Sequence, residues 1–172
     1  MAGPTRLRLA PFEEVLEHHG TDVWRFAASQ VGSERADDVF QETMVAALAA
    51  YPSLRDPTMV RSWLLRIAAR KAIDLYRFTA RSPIPVEDPD PGVAPQAPLP
   101  DDDLWTEVRA LPAKQCQAVA LRFVCDLDYR EVGEAMDTSP EAARRNVFEA
   151  LKSLRRQLGS PQGEIDESHR RR

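Results

Sequence analysis

Cysteine is scarce in this chain of 172 residues: Cys116 and Cys125 are the only two, they form no C-x-x-C pair, and they join no cluster of metal-ligating side chains. A disulfide scaffold or zinc module is therefore disfavoured, and a reducing cytoplasm is the expected compartment. No apolar run approaches the ~18–20 residues that span a bilayer, so no membrane partner is expected. Met1 to Pro11 carries no apolar run behind its positive residues, and a secretory leader is not expected either. Strand-like alternation of apolar and polar residues is missing throughout. So are a phosphate loop, a nucleophile elbow and a dinucleotide fingerprint. The run Asp37, Asp38, Gln41, Glu42 has no answering His or carboxylate cluster, so neither catalysis nor a metal or other cofactor is expected. What is present, 43% hydrophobic and 29% charged residues, is too apolar for a disordered chain and suits one larger globular domain or two small ones.

Charge is unevenly spread. The formal net charge of −4 by itself argues against a nucleic-acid binder. Yet residues 82–103 hold Glu87, Asp88, Asp90, Asp101, Asp102 and Asp103 and no Lys or Arg. Residues 55–81 carry seven basic side chains against two acidic ones, and residues 139–158 carry five against two. Two basic blocks flank an acidic bridge, and the average hides both. The bridge also holds seven of the chain's 14 prolines. Proline removes amide donors and blocks helices, and like charges repel, so 82–103 reads as an extended, semi-rigid linker. It separates a first domain (12–81, after a tail of residues 1–11) from a second (104–158). The polar tail 159–172 is expected to be disordered.

Apolar spacings of three and four predict three helices before the linker and four after it, an all-α fold. The first follows Pro11, with Phe12, Val15, Leu16, Val23 and Phe26 on one face and a possible break at Gly20. Ser33 is the expected N-cap of the second, which carries Val39, Phe40, Thr43, Met44, Ala47 and Leu48 and is closed by Pro52. Asp56-Pro57 starts the third, with Met59, Val60, Trp63, Leu64, Ile67, Ala68 and Leu75 as its buried stripe. Beyond the linker, Leu104 to Leu111 form a short helix and Ala113 to Val124 another, with Val119, Ala120 and Phe123 inward. Asp128 and Glu131 suggest a capping box for a helix ending at Met136. After a tight turn at Asp137-Thr138, Ser139-Pro140 opens a long helix with Ala143, Val147, Ala150, Leu151, Leu154 and Leu158 inward, stopped by Gly159.

Two helices joined by a short turn, the second long and basic, describe a helix-turn-helix. Its second helix would enter the major groove, with Glu141, Arg144, Arg145, Phe148 and Lys152 on or near its outer face. A merely solvated charged face is the plainer alternative, made less attractive by the two caps in series. Gly133 and Asp137 stand where that motif wants a small residue and a left-handed turn, which Asp tolerates better than most residues. In the first half, Arg61, Arg66, Arg70, Lys71 and Arg77 interleave with Trp63. Such a pattern suits a nucleic-acid strand, charges on phosphates and ring on a base, although Trp63 is equally placed to be core. The two cysteines read as ordinary thiols.

These segments resemble the extracytoplasmic-function (ECF) sigma factors of bacteria, the two-domain members of the sigma-70 family. Asp38-Val39-Phe40-Gln41-Glu42-Thr43 is similar to the D-x-x-Q-E-T segment of the family's region 2. Ser62-Trp63-Leu64-Leu65-Arg66-Ile67-Ala68, followed by Ala72-Ile73-Asp74-Leu75, is similar to its A-W-L-x-x-I-A-x-x-x-A-I-D-L segment. Leu111-Pro112-Ala113-Lys114-Gln115, Leu121-Arg122-Phe123 and Tyr129-Arg130-Glu131-Val132 resemble the opening of region 4, and the helix after Ser139 its reader of the −35 element.

The resemblance implies a specificity subunit with no catalytic residue of its own. Its expected partners are core RNA polymerase and promoter DNA. Asp38, Gln41 and Glu42 would dock on the polymerase. Arg55, Arg61, Trp63, Arg66, Arg70 and Lys71 would face the −10 element, and Ser139, Glu141, Arg144, Arg145, Phe148 and Lys152 the −35 element. Relatives are often held by an anti-sigma factor, a further possible partner that no residue here identifies. The free chain is expected to be a monomer. Arg70 stands where the family often has Asn, Arg144-Arg145-Asn146 where it often has Lys-Ser-Arg, and Glu149 where a basic residue is common. These departures bear on promoter sequence. The rival reading is a stand-alone dimeric helix-turn-helix regulator whose first half dimerises or binds a ligand.

Overall fold

The computed structural model describes residues 9–81 and 102–159. The expected linker, all but its last two residues, and most of both tails lie outside that range. Among the described residues there are seven α-helices and two 3-10 turns, and no strand. The all-α expectation, three helices and then four, is borne out.

Helices α1 (Phe12–Val31) and α2 (Ser33–Ala50) are separated by Gly32 alone. Gly32 has φ +83° and donates its N–H to Ala28 O at 2.9 Å. Only glycine adopts that backbone cheaply, so one residue ends one helix and begins the next. Ser33, the expected N-cap, is accordingly the first helical residue instead. Helix α1 runs unbroken through Gly20, which is buried beside Phe40. Pro52 sits in the 3-10 turn Tyr51–Ser53. Asp56 accepts from Thr58 N (2.9 Å) and Thr58 Oγ1 (2.6 Å), capping a second turn, Pro57–Met59. Helix α3 (Val60–Arg81) therefore begins after Asp56-Pro57 rather than at it.

The second unit comprises α4 (Asp102–Arg109), α5 (Ala113–Phe123), α6 (Tyr129–Ala135) and α7 (Pro140–Gly159). The capping box of α6 is complete: Glu131 N donates to Asp128 Oδ1 and Asp128 N to Glu131 Oε2, both at 2.8 Å. Ala142 N donates to Ser139 Oγ at 3.1 Å, the expected cap of α7. Asp137 takes φ +53° in the turn between them. Gly133 lies beneath that turn, where a Cβ would sit 2.8 Å from Thr138 O.

Fully buried Val23, Phe26, Val39 and Leu64 belong to the first unit, and Leu121, Leu127, Val132 and Val147 to the second. Leu48, Phe123 and Leu158, expected inward, are each more than half exposed. All three lie in the last turn of their helices, where the apolar stripe continues past its neighbours. The opposite surprise falls on α3, where Leu65, Ala69 and Ala72 lie outside the expected stripe yet are buried. The reason is a second layer of packing. Helix α3 meets α6 and α5 as well as α1 and α2, and α1 meets α4 and α5.

This seam between the units is hydrogen-bonded and, at its centre, buried. Gln117 Nε2 donates to Ala69 O at 3.1 Å, and Arg61 donates to the carbonyl of Cys125. Cys125 Sγ lies 4.0 Å from Asp22 O. Burial pushes the Cys116 thiol up to about 11, against the opposing effect of Gln30 and Arg109. Burial and the Asp22 charge push Cys125 up to about 12, opposed by Arg61 and Arg25.

Gly133→Ala should force the α6–α7 turn apart and cost about 1–3 kcal/mol, a Tm loss of ~3–10 °C. Gly20→Ala, whose Cβ meets side-chain atoms no nearer than 3.4 Å, should leave Tm unchanged or raise it, because Ala is the better helix former. Thermal unfolding of both variants checks the contrast. Thiolate is the reactive form of cysteine, so near pH 8 native Cys116 should react with a disulfide reagent ~100-fold, and Cys125 ~1,000-fold, more slowly than in the urea-unfolded chain. Equal rates would contradict the burial.

Candidate functional site

The acidic run on α2 divides in two. Trp24 Nε1 donates to Asp37 Oδ1 at 2.7 Å, which ties Asp37 to α1. Asp38, Gln41 and Glu42, spaced three and four residues apart, share an exposed face. With Lys71, Asp74 and Phe78 they line an open groove of about 490 Å³ between α2 and α3. Lys71 Nζ donates to Glu42 Oε2 at 3.1 Å across it. The fold thus brings together two residues that the sequence assigned to different partners.

The remaining basic residues of the first unit are dispersed. Arg55 is exposed between the two 3-10 turns. Trp63 is half-buried with its ring 6.2 Å from that of Tyr51, so it is in part a core residue. Tyr51 itself is buried, edge-on to Phe12 at 5.3 Å, with its hydroxyl donating to Ala10 O at 2.8 Å. Arg61 Nε donates to Asp22 Oδ2 at 2.8 Å. Arg66 donates to Asp137 Oδ1, and Arg70 Nη2 to Asp137 Oδ2 at 2.7 Å. Arg61, Arg66 and Arg70 therefore all reach across the seam, or border it.

The bond from Arg70, then that from Arg66, hold the Asp137 carboxyl below the usual carboxylate range, against partial burial. Since the folded value is the lower one, this contribution is complete above the ordinary carboxylate value. It is lost as pH falls through the lowered one. His19 is likewise held below its ordinary value, by burial first and then by Arg61, with Asp22 opposing. The sequence marked Asp137 only as a turn residue. Its partners stand some 70 positions away on α3, and no local pattern encodes them.

On α7, Ala143, Val147, Ala150 and Leu154 face inward, and Glu141, Arg144, Arg145, Phe148 and Lys152 are exposed. Pro140, Glu141, Arg144, Arg145 and Phe148 line an open groove of about 350 Å³. Ser139 is the cap rather than a free surface donor. Two further residues join this face. The Arg144 guanidinium lies 5.0 Å from the centroid of the Tyr129 ring and that of Arg122 lies 5.6 Å from it. The basic–aromatic interleaving that would have marked them is spread over α5, α6 and α7. Among the described residues no group of three metal-type ligands occurs, and no helix is long and apolar enough to cross a membrane.

Comparison with known proteins accounts for both units. The Sigma-70 region 2 family model matches residues 15–82, and the Sigma-70, region 4 model matches residues 101–154. The RNA polymerase sigma factor SigV of Bacillus subtilis is 30% identical over 145 residues, covering 81% of this chain and 86% of that protein. The ECF RNA polymerase sigma factor SigD of Mycobacterium tuberculosis is 32% identical over 164 residues, covering 84% and 76%. Among solved structures, the sigma factor RpoE of Bartonella quintana, in complex with the anti-sigma factor NepR, shares the fold. It is 20% identical with a TM-score of 0.71, covering 88% of this chain and 98% of that one. With region 2 and region 4 matched in order along the chain, a stand-alone dimeric regulator is not favoured. The chain belongs to the sigma-70 family, among its extracytoplasmic-function (ECF) RNA polymerase sigma factors.

Proposed function

We propose that this sigma factor docks on core RNA polymerase through Asp38, Gln41 and Glu42. It captures the unpaired −10 strand with Arg55, Arg61, Trp63, Arg66, Arg70 and Lys71, and reads the −35 duplex from Ser139, Glu141, Arg144, Arg145, Phe148 and Lys152, flanked by Arg122 and Tyr129. The observation that carries this reading is the capped, glycine-packed turn before α7, which leaves Arg144, Arg145 and Phe148 exposed on its first turns. A helix presented in this way fits the major groove, where arginine forks onto guanine edges or phosphates.

Extruding a −10 base costs a few kcal/mol, offset by phosphate contacts and a stacking surface. The units extend over 12–81 and 104–158. The promoter elements lie more than one helical turn (~35 Å) apart, and a proline-rich linker of about 22 residues reaches ~65–70 Å. The protein acts in the cytoplasm as a monomer until polymerase binds it and catalyses no reaction itself. The net charge of −4 weakens DNA binding by the free subunit, so tight promoter binding depends on core enzyme. An anti-sigma factor is a further partner, as for the structural relative bound to NepR.

Replacing Arg144 and Arg145 together with Ala should lower transcription from a −35-dependent promoter at least ~tenfold, each lost base contact being worth about 1–3 kcal/mol. Capture of core polymerase in a pull-down should persist, and its loss would contradict the assignment of the two units. Gel shifts with the isolated chain should show no nanomolar specific binding.

A further inference from the structure

We infer that Tyr129 is a positioning residue for promoter reading: its ring holds the Arg144 guanidinium ready to fork onto a base edge of the −35 duplex. This role rests on the assignment of Arg144 to that duplex. Tyr129 is the first residue of α6, directly after the capping Asp128, and is half-buried against the core. Two cations meet its ring. The Arg144 guanidinium of α7 lies over it at 5.0 Å from the centroid, and that of Arg122 of α5 at 5.6 Å. Arg122 is committed to the loop before α6: its Nη1 donates to Leu127 O at 3.2 Å and pairs with Asp126 Oδ1 at 3.5 Å. Arg144 is not so committed. Among the described residues it forms no hydrogen bond and no ion pair, and the Tyr129 ring is what it rests on.

A carboxylate and a ring hold arginine in different ways. A carboxylate takes the in-plane N–H groups that a guanine edge would need. An aromatic ring attracts the cation through its face and accepts none of the N–H donors at the guanidinium rim. Arg144 is thus restrained and still able to donate. Restraint matters because a long, rotamer-rich side chain loses freedom on binding, and one that is ordered beforehand loses less. The support is itself fixed. The capping box sets where α6 begins, and Gly133, closely packed beneath the turn, sets α7 against it. Arg145, next along α7, is also exposed and meets neither a ring nor an acceptor among the described residues. The two neighbouring arginines therefore divide the work: Arg144 is preset for a directional contact with a base, and Arg145 is free to follow a phosphate.

The test uses holoenzyme assembled from the full chain and purified core polymerase. Its binding is measured on a promoter fragment mapped by run-off transcription, and on copies with each −35 base pair replaced in turn. Arg144→Ala should lower discrimination at one base pair by about fivefold or more. Tyr129→Leu stays apolar but has no ring. It should lower discrimination at that same pair by about two- to fivefold, the range an exposed cation–π contact commands. The salt dependence of binding should not change, because no phosphate contact is lost. Tyr129→Phe keeps the ring and should stay within ~twofold of the unaltered chain. Tyr129→Leu added to Arg144→Ala should cost nothing further. A further loss there, or an equal loss on every fragment, would overturn the positioning role. So would a loss in Tyr129→Phe equal to that in Tyr129→Leu, which would make the hydroxyl the acting group. Undiminished discrimination in Arg144→Ala would instead sink the assignment of Arg144 to a base edge, and the positioning with it. Nitrogen-15 NMR of the free chain needs no variant at Tyr129. The Arg144 Nε–H signal, assigned by its loss in Arg144→Ala, should lie upfield of that of Arg145 because the ring current acts on it alone. Coincident signals would overturn the positioning and leave Arg144 a base reader.

Discussion

Arg61, Arg66 and Arg70 of α3 are each met by an acceptor on another element: Asp22 of α1, the Cys125 carbonyl and Asp137. Ion pairs as exposed as those at Asp137 contribute at most about 1 kcal/mol apiece. The force that closes the two units is therefore apolar burial, on the order of 25 cal/mol per Å² removed from water. It acts through Leu65, Ala69 and Ala72 of α3 and through Cys116 and Cys125 of the second unit. Lys71, paired with Glu42 across the α2–α3 groove, lies near a different surface from the three arginines.

The helix-turn-helix depends on short-range fit. Gly133 admits the backbone of Thr138 and Ser139, Asp137 supplies the left-handed residue, and two side-chain caps define where α6 and α7 begin. Arg144 and Arg145 thereby stand on a rigid support, while the same turn offers Asp137 to α3. One loop both sets the exposed face of α7 and bonds α3.

Much of this was legible in the sequence because it is local. Helical periodicity marked seven helices, and Asp128, Glu131, Ser139 and Pro140 marked helix starts through chemistry within four residues. The motif Asp38 to Thr43 marked the family. Errors came where the next element decides the outcome. Leu48, Phe123 and Leu158 continue an apolar period beyond the reach of any neighbour, and Ser33 yields its cap position to Gly32 because only glycine takes φ +83°. The seam was invisible. Leu65, Ala69 and Ala72 look like a weak second stripe, and the partners of Asp137, Cys116 and Cys125 lie scores of residues away. The division of Asp37 from Asp38 likewise needed Trp24 of α1 in place.

The central claim is that two small helical units together confer promoter choice on a larger enzyme. Run-off transcription with purified core polymerase on genomic DNA fragments tests it most directly. Adding this chain should make the polymerase start at discrete positions that are absent with core alone, each preceded by two sequence elements at fixed spacing. Transcripts no different from those of core alone, on every fragment tried, would contradict it.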